Sequence, residues 1–466
     1  MRTLLTGGMV MSLDPEIGIL PRGELLIEDE LIAAVGADLG VGDAQVVDVS
    51  GRILMPGFID THRHTWESVL RNIATDWQGS HYFSGVRGQL GRHFGAEEMY
   101  AANLVGALEA LDMGITTIFD WAHCINDQDA ADAAVAGLRD AGGRAVFGLG
   151  DPNDDWLPMS DVPASDQVAR HVRETWFPHD DGLVTMAMSP RGPEFTTRAV
   201  VEHDMALARE LDLKMSIHVG NGDRLPANHG PVTSLHDWGL LADDILFVHC
   251  NASSDEELRL IRDAGCRPPS VTVDSESHFG LGWPAVLRLM ELGLRPSLGI
   301  DIVINSVGDM FGAMRSTAAL TRAMQHAHAD AMPDRLTVTA RDLLEMATVV
   351  GSRSLWMEDK IGTLTPGKQA DLVVLRADTL HHAPLNNPYG AVALGSHAGD
   401  VESVYVAGKA VKRDGELVGV DVARLRRLAE TACDTVFDRA VAAGADARRG
   451  GDWIPEPYVA RTVSTT

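Results

Sequence analysis

Eight short β-rich runs recur along the middle of this chain, at residues 53–60, 115–120, 144–149, 183–188, 214–219, 245–250, 270–273 and 295–300. Polar or amphipathic stretches of helix length, such as 101–113 and 255–264, separate them. Runs rich in Val, Ile and Leu that alternate with helices are parallel βα units, and eight such units close into a barrel. The spacing therefore predicts an α/β fold with a (β/α)8 TIM-like barrel over residues 55–358. The two ends read differently. Residues 1–54 hold short alternating strands with glycine turns, and residues 359–421 resume that pattern, with runs at 370–374 and 403–407 and a turn at Asp414-Gly415. Together they predict a small β-sandwich domain formed by both chain ends. Residues 422–446 carry apolar positions at helical spacing, so 422–466 is expected to be a C-terminal helix and tail.

Composition excludes several classes of partner. A formal charge of -27 repels phosphate, which disfavours nucleic acid and anionic membrane surfaces. No apolar run approaches the length of a membrane span, and no basic, then apolar, leader opens the chain. Cys124, Cys250, Cys266 and Cys433 are scattered without C-x-x-C spacing, which argues against a disulfide framework and for a reducing cytoplasm.

The first barrel run leads into Pro56-Gly-Phe-Ile-Asp-Thr-His-Arg-His64, with His62 and His64 at i and i+2. Residues two apart in a strand share a face, so both imidazoles reach one cation. An H-x-H triplet alone is weak, and a pair of solvated histidines explains many of them. The rest of the chain adds His218 at the end of the fifth run, His249 at the end of the sixth and Asp301 after the eighth. In a parallel barrel, strand ends converge on the carboxyl-terminal rim, so these five side chains meet there. Three imidazoles and a carboxylate form a metal site with room left for water, the mark of a catalytic rather than a structural centre. Read singly, each would be a hydrogen-bonded rim residue.

These motifs resemble the amidohydrolase superfamily, in its branch of chlorotriazine hydrolases and aminohydrolase-type deaminases. The resemblance runs from Met55-Pro-Gly-Phe-Ile-Asp-Thr-His-Arg-His64 through Gly114-Ile-Thr-Thr117, Val248-His-Cys250, Gly299-Ile-Asp301 and Asp309-Met-Phe311 to Ile361-Gly-Thr-Leu-Thr-Pro-Gly-Lys-Gln-Ala-Asp-Leu372. It implies metal ligation by His62, His64, His218 and Asp301, and orientation of the attacking water by His249. The fourth run has no lysine that could be carboxylated to bridge two ions, so the resemblance implies one divalent transition metal per chain. Zinc is the default, with cobalt, iron or manganese as alternatives. Family precedent also implies a homo-oligomer.

Two departures shape the functional expectation. Family deaminases carry H-x-x-E after the fifth strand, where the glutamate shuttles protons; here the segment is His218-Val-Gly-Asn221, and asparagine has no useful acid proton. After the fourth run, a family histidine is replaced by Arg191 in Ser189-Pro-Arg191-Gly-Pro193, a fixed cation suited to an oxyanion. A rim salt bridge from Arg191 to Glu194 is the competing role. His278 stands where the family often has asparagine, and these changes look closest to molinate (thiocarbamate) and phenylurea hydrolases. The expectation is thus a mononuclear metal-dependent hydrolase of a small neutral urea, carbamate, thiocarbamate or amide. In it, Asp301 is ligand and proton acceptor, His249 positions the nucleophile, and Arg191, Asn221 and His278 hold the carbonyl. The long loop after the first run, with Trp66, Trp77, Tyr82 and Phe83, is expected to wall the substrate, Trp77 included. His123, after the second run, is a candidate pocket residue, and Glu276 a candidate substitute acid. The rivals are a deaminase of a purine, pyrimidine or triazine ring, and a non-catalytic assembly module, which would be expected to have lost its ligands.

Overall fold

The computed structural model describes residues 2–151, 159–221, 230–327 and 329–458; His229 and the tail from 459 onward lie outside them. Eight parallel strands follow one another in chain order: Phe58–Arg63, Ile115–Ala122, Arg144–Leu149, Val184–Met188, Met215–Val219, Ile245–His249, Ser270–Val271 and Ser297–Leu298. A parallel bridge between Arg63 and Asp301 joins the last to the first and closes the barrel. Helices including Ala96–Asp112, Gln128–Ala141, Asp166–Trp176, Arg198–Glu210 and Asp255–Asp263 cover the outside. Their apolar faces bury residues such as Leu108, Val135, Val201 and Leu258 against the strands.

The last two strands are shorter than the sequence suggests, two residues each. After Val271 the chain enters the helix Val273–Phe279 at once, so the segment expected at a strand end is helical. The sixth strand stops at His249 because His249 and Cys250 both take positive φ, 71° and 61°, which ends the extended backbone.

Both chain ends form sheets beside the barrel. One has the order Leu31–Gly36, Glu24–Glu28, Arg2–Thr6, Gln45–Asp48; the other runs from Glu416–Leu417 through Lys409–Arg413, Val401–Val406, Leu372–Arg376, Arg52–Pro56 and Met9–Met11 to Ile19–Leu20. Leu5, Leu25 and Ile27 of the first pack on Leu54, Leu372, Val374 and Tyr405 of the second in a core separate from the barrel's. The chain crosses from sandwich to barrel at Gly57, where a Cβ would collide with the Thr116 side chain. A buried Arg144–Asp371 ion pair at 2.8 Å ties the third barrel strand to the sandwich. The helix Val422–Ala442 lies along Ala96–Asp112, joined by Arg439 to Glu98 at 2.7 Å. Among the described residues, no helix is long and apolar enough to cross a membrane, and all four cysteines are buried and outside any disulfide.

Candidate active site

The barrel's closure builds the centre of the site. The Asp301 backbone N–H donates to the His62 carbonyl at 2.7 Å, and the His64 N–H donates to the Asp301 carbonyl at 2.6 Å. Asp301 and His249 sit at φ 69° and 71°, a left-handed backbone that non-glycine residues adopt at a cost of roughly 1–3 kcal/mol and that clusters at functional sites. Here it ends the strands and turns both side chains inward.

Three imidazole nitrogens and one carboxylate oxygen converge. His62 Nε2 lies 3.2 Å from Asp301 Oδ1, His64 Nε2 3.3 Å from the same oxygen, and His218 Nε2 3.1 Å from His62 Nε2. Four N/O ligands about 2.1 Å from a common tetrahedral ion stand about 3.4 Å apart, so this donor set fits a divalent metal. His64 Nδ1 donates to the Trp121 carbonyl at 2.8 Å, which leaves its Nε2 as the atom presented to the cluster. Burial pushes the His62 imidazole down to about 3 and holds His218 well below its usual value. Burial alone would raise Asp301, but its hydrogen bonds to His62 and His64 keep it well below the carboxylate range. Neutral His62 and His218 imidazoles beside an ionised Asp301 are in the protonation states a metal requires.

Around this cluster lies a supporting layer in which Ser275 and Thr272, not singled out in the sequence, join His249 and Glu276. Ser275 Oγ donates to Asp301 Oδ2 at 2.6 Å, which leaves Oδ1 facing the imidazoles. His249 Nδ1 lies 3.3 Å from Glu276 Oε1 and 3.1 Å from Thr272 Oγ1. Burial would lower His249, but the Glu276 bond and the Asp301 charge outweigh it and raise it above its usual value. Glu276 is thus committed behind His249 rather than standing in as a free acid.

The cluster opens into a cleft of roughly 700 Å³, its mouth included, walled by Tyr82, Phe83, Trp121, Phe195, Phe279, Leu281 and Ile302. Arg87, His123, Arg191 and Asn221 add its polar features, and His123 stacks on His64 with ring centroids 4.0 Å apart. Glu67, behind Tyr82, accepts the Tyr82 hydroxyl at 2.8 Å, and burial pushes it up to about 8.

Asn221 and Arg191 thus reach the cleft as expected, but with partners already engaged. Asn221 Nδ2 donates to Glu194 Oε2 at 2.9 Å, and the Gly220 N–H donates to Glu194 Oε1 at 2.8 Å. Arg191 pairs through Nε with Asp151 at 2.9 Å and donates to the Val162 carbonyl at 3.0 Å; its carboxylate partner is Asp151, not Glu194. The expectations for His278 and Trp77 need correction. His278 faces away on its helix and its Nε2 donates to the Ala74 carbonyl at 3.1 Å, while its neighbour Phe279 lines the cleft. Trp77 is fully buried against Trp453, ring centroids 5.0 Å apart, with Nε1 donating to the Trp453 carbonyl at 2.9 Å. From the same loop, Tyr82 and Phe83 form the wall instead.

A model of the amidohydrolase family matches residues 53–411. The chain belongs to that family. As an amidohydrolase it is a hydrolase of C–N bonds, and its metal-ready cluster stands where the barrel strands end. It is similar to 5′-deoxyadenosine deaminase of Methanothermobacter thermautotrophicus, 29% identical over 92% of this chain and 97% of that protein. It is also similar to 5-methylthioadenosine/S-adenosylhomocysteine deaminase of Thermoanaerobacter pseudethanolicus, 26% identical over 94% and 100%. Among solved structures, an adenosine deaminase from Xanthomonas campestris with bound zinc superposes with a TM-score of 0.82 at 25% identity, over 93% of this chain and 98% of that one. The zinc complex of atrazine chlorohydrolase from Arthrobacter aurescens shares the fold, with a TM-score of 0.82 at 21% identity over 92% and 100%.

Proposed function

We propose that this amidohydrolase is a hydrolytic deaminase whose substrate carries an amino group on a flat, uncharged heteroaromatic ring of purine size. One observation carries the reading: five aromatic side chains, Tyr82, Phe83, Trp121, Phe195 and Phe279, wall the cleft above the imidazole–carboxylate cluster. Such walls hold a flat ring by its faces and edges and leave its polar substituent to the cluster. The full-length similarity to deaminases of 5′-deoxyadenosine and of 5-methylthioadenosine and S-adenosylhomocysteine supports the same class. The urea, carbamate, thiocarbamate or amide reading had rested on Asn221 and Arg191 as carbonyl-holding groups. Both have buried carboxyl partners, Glu194 and Asp151, which weakens it.

His62, His64, His218 and Asp301 would hold one divalent metal, zinc by default with cobalt, iron or manganese as alternatives, which when bound lowers the pKa of water from about 15.7 toward about 7. Asp301 takes a proton from the attacking water and later gives it to the departing amine. His249, held through Nδ1 by Glu276, donates a hydrogen bond to the incoming oxygen. The aromatic walls exclude bulk water from the reacting carbon. The test is a panel of aminopurine nucleosides, aminotriazines, phenylureas and carbamates assayed with the metal-loaded protein. Ammonia released from an aminopurine supports the reading; cleavage confined to ureas or carbamates refutes it.

A further inference from the structure

Deamination of a ring needs a group that gives a proton to a ring nitrogen and takes one back, and the fifth-strand segment offers only Asn221 for that work. A carboxyl from a different strand end stands beside it. Glu194 comes from the loop after the fourth strand, and its two oxygens accept from Asn221 Nδ2 at 2.9 Å and the Gly220 N–H at 2.8 Å. It is therefore fastened to the turn that follows His218. Asn221 lines the cleft, and Glu194 sits one hydrogen bond behind it, 2% exposed. Among the described residues, no arginine or lysine forms an ion pair with Glu194. His249 and the Cys250 thiol are titratable neighbours whose charges couple to it.

Resting on the deaminase reading above, we propose that Glu194, held by Asn221 and Gly220, is the proton-transfer residue of this site. The acid has moved from the fifth strand end to the fourth, and it acts on the bound ring through one intervening water. Burial pushes the Glu194 carboxyl up to about 7, against the lowering effect of the Asn221 and Gly220 bonds, so both of its forms are populated near neutrality. A buried carboxylate that served only to tie two loops together would be better served by staying ionised.

The proton balance closes. The water oxygen bonds to the amino-bearing ring carbon while one water proton passes to Asp301 and the Glu194 proton passes to the ring nitrogen. Glu194 then recovers a proton from the new hydroxyl as the C–N bond breaks. The amine leaves as ammonia with the proton held by Asp301. The product carries an oxo group and a protonated ring nitrogen, and every residue returns to its starting form.

The test compares wild type, Glu194→Gln, Glu194→Asp and the exchange variant Glu194→Gln/Asn221→Glu, all metal-loaded, on an aminopurine nucleoside that wild type deaminates. Glu194→Gln is expected to lose about 10²-fold or more in kcat with KM changed only a few-fold, with melting temperature and metal content kept. It should also remove one of the ionisations near neutrality from the pH profile. Glu194→Asp should retain part of the activity, and the exchange variant, which returns an acid to the fifth strand, should regain about tenfold or more over Glu194→Gln. Wild-type kcat and pH profile in Glu194→Gln would overturn the proposal. Difference infrared spectra give a readout independent of turnover. Beyond the absorption of the buried Glu67 carboxyl, common to both proteins, wild type should show a protonated-carboxyl band at about pH 6 that fades as pH rises through neutrality and is missing from Glu194→Gln. If wild type releases no ammonia from any aminopurine, the deaminase reading fails by itself, and absence of that band refutes the Glu194 assignment separately.

Discussion

The Asp301 backbone N–H donates to the His62 carbonyl at 2.7 Å, and their side chains face each other at 3.2 Å between Oδ1 and Nε2. Barrel closure and assembly of the metal-ready cluster are thus one structural event. Asp60 reinforces it: its carboxylate accepts from the Ile300 N–H at 2.9 Å and holds the buried Arg63 at 2.7 Å. Anything that loosens the seam between the first and last strands should disorder the donor set as well.

The first prediction follows from that donor set. Purified protein should hold about one divalent metal per chain. His62→Ala and His218→Ala should lose metal and activity together. Chelation should also lower the melting temperature of wild type, because a ligand that binds only the folded state stabilises it. Elemental analysis and thermal melts check both, and two tightly held metals per chain would contradict the single site.

His249 tests a different function. Its Nδ1 is occupied by Glu276 and Thr272, and it acts as a donor rather than a ligand in this account. His249→Ala should keep most of the metal and lose on the order of 10²-fold or more in kcat. Loss of metal in that variant would make His249 a ligand instead.

Glu67 gives a pH signature in stability. Burial raises its folded pKa to about 8 from an ordinary value of 4.5, so the folded state binds the proton more tightly than the unfolded one. The stabilisation this provides is complete below the unfolded pKa and declines as pH rises toward the folded one, by roughly 1.4 kcal/mol per unit at most. Glu67→Gln keeps an acceptor for Tyr82 but cannot ionise. Its melting temperature should therefore gain on wild type steadily from acid pH to about pH 8. Parallel curves across that range would show that Glu67 is not held neutral.

The corrected tryptophan supplies a packing prediction. Trp77→Ala should cost about 3–5 kcal/mol of stability, because it opens a cavity against Trp453 and removes a buried hydrogen bond. Its KM should stay near wild type once folding is restored at lower temperature. Denaturant melts and steady-state kinetics separate the two effects, and a KM rise without destabilisation would return Trp77 to the cleft.

Much of this was legible in the sequence because period and position carry it. The apolar runs and helical spacers specified the barrel, and His62, His64, His218, His249 and Asp301 stand at or beside strand ends, where barrel geometry alone brings side chains together. Trp77 and Tyr82 share one loop, but which aromatic turns inward depends on Trp453, contributed from the far end of the chain. His278 was misplaced because the seventh strand stops after Val271 and the helix that follows rotates it toward Ala74. Glu194 left no periodic trace, since its meaning depends on contact with Asn221 across two loops. The asparagine after His218, where the family often has glutamate, was visible in the sequence; the Glu194 carboxyl beside it was visible only in three dimensions.

The most direct test of the central claim is to incubate the metal-loaded protein with an aminopurine nucleoside in oxygen-18-labelled water and analyse the products by mass spectrometry. The account predicts a ring product in which one labelled oxygen has replaced the amino group, with one ammonia released per turnover. Unchanged aminopurine, alongside label appearing instead in the carbonyl product of a urea or carbamate, would contradict it.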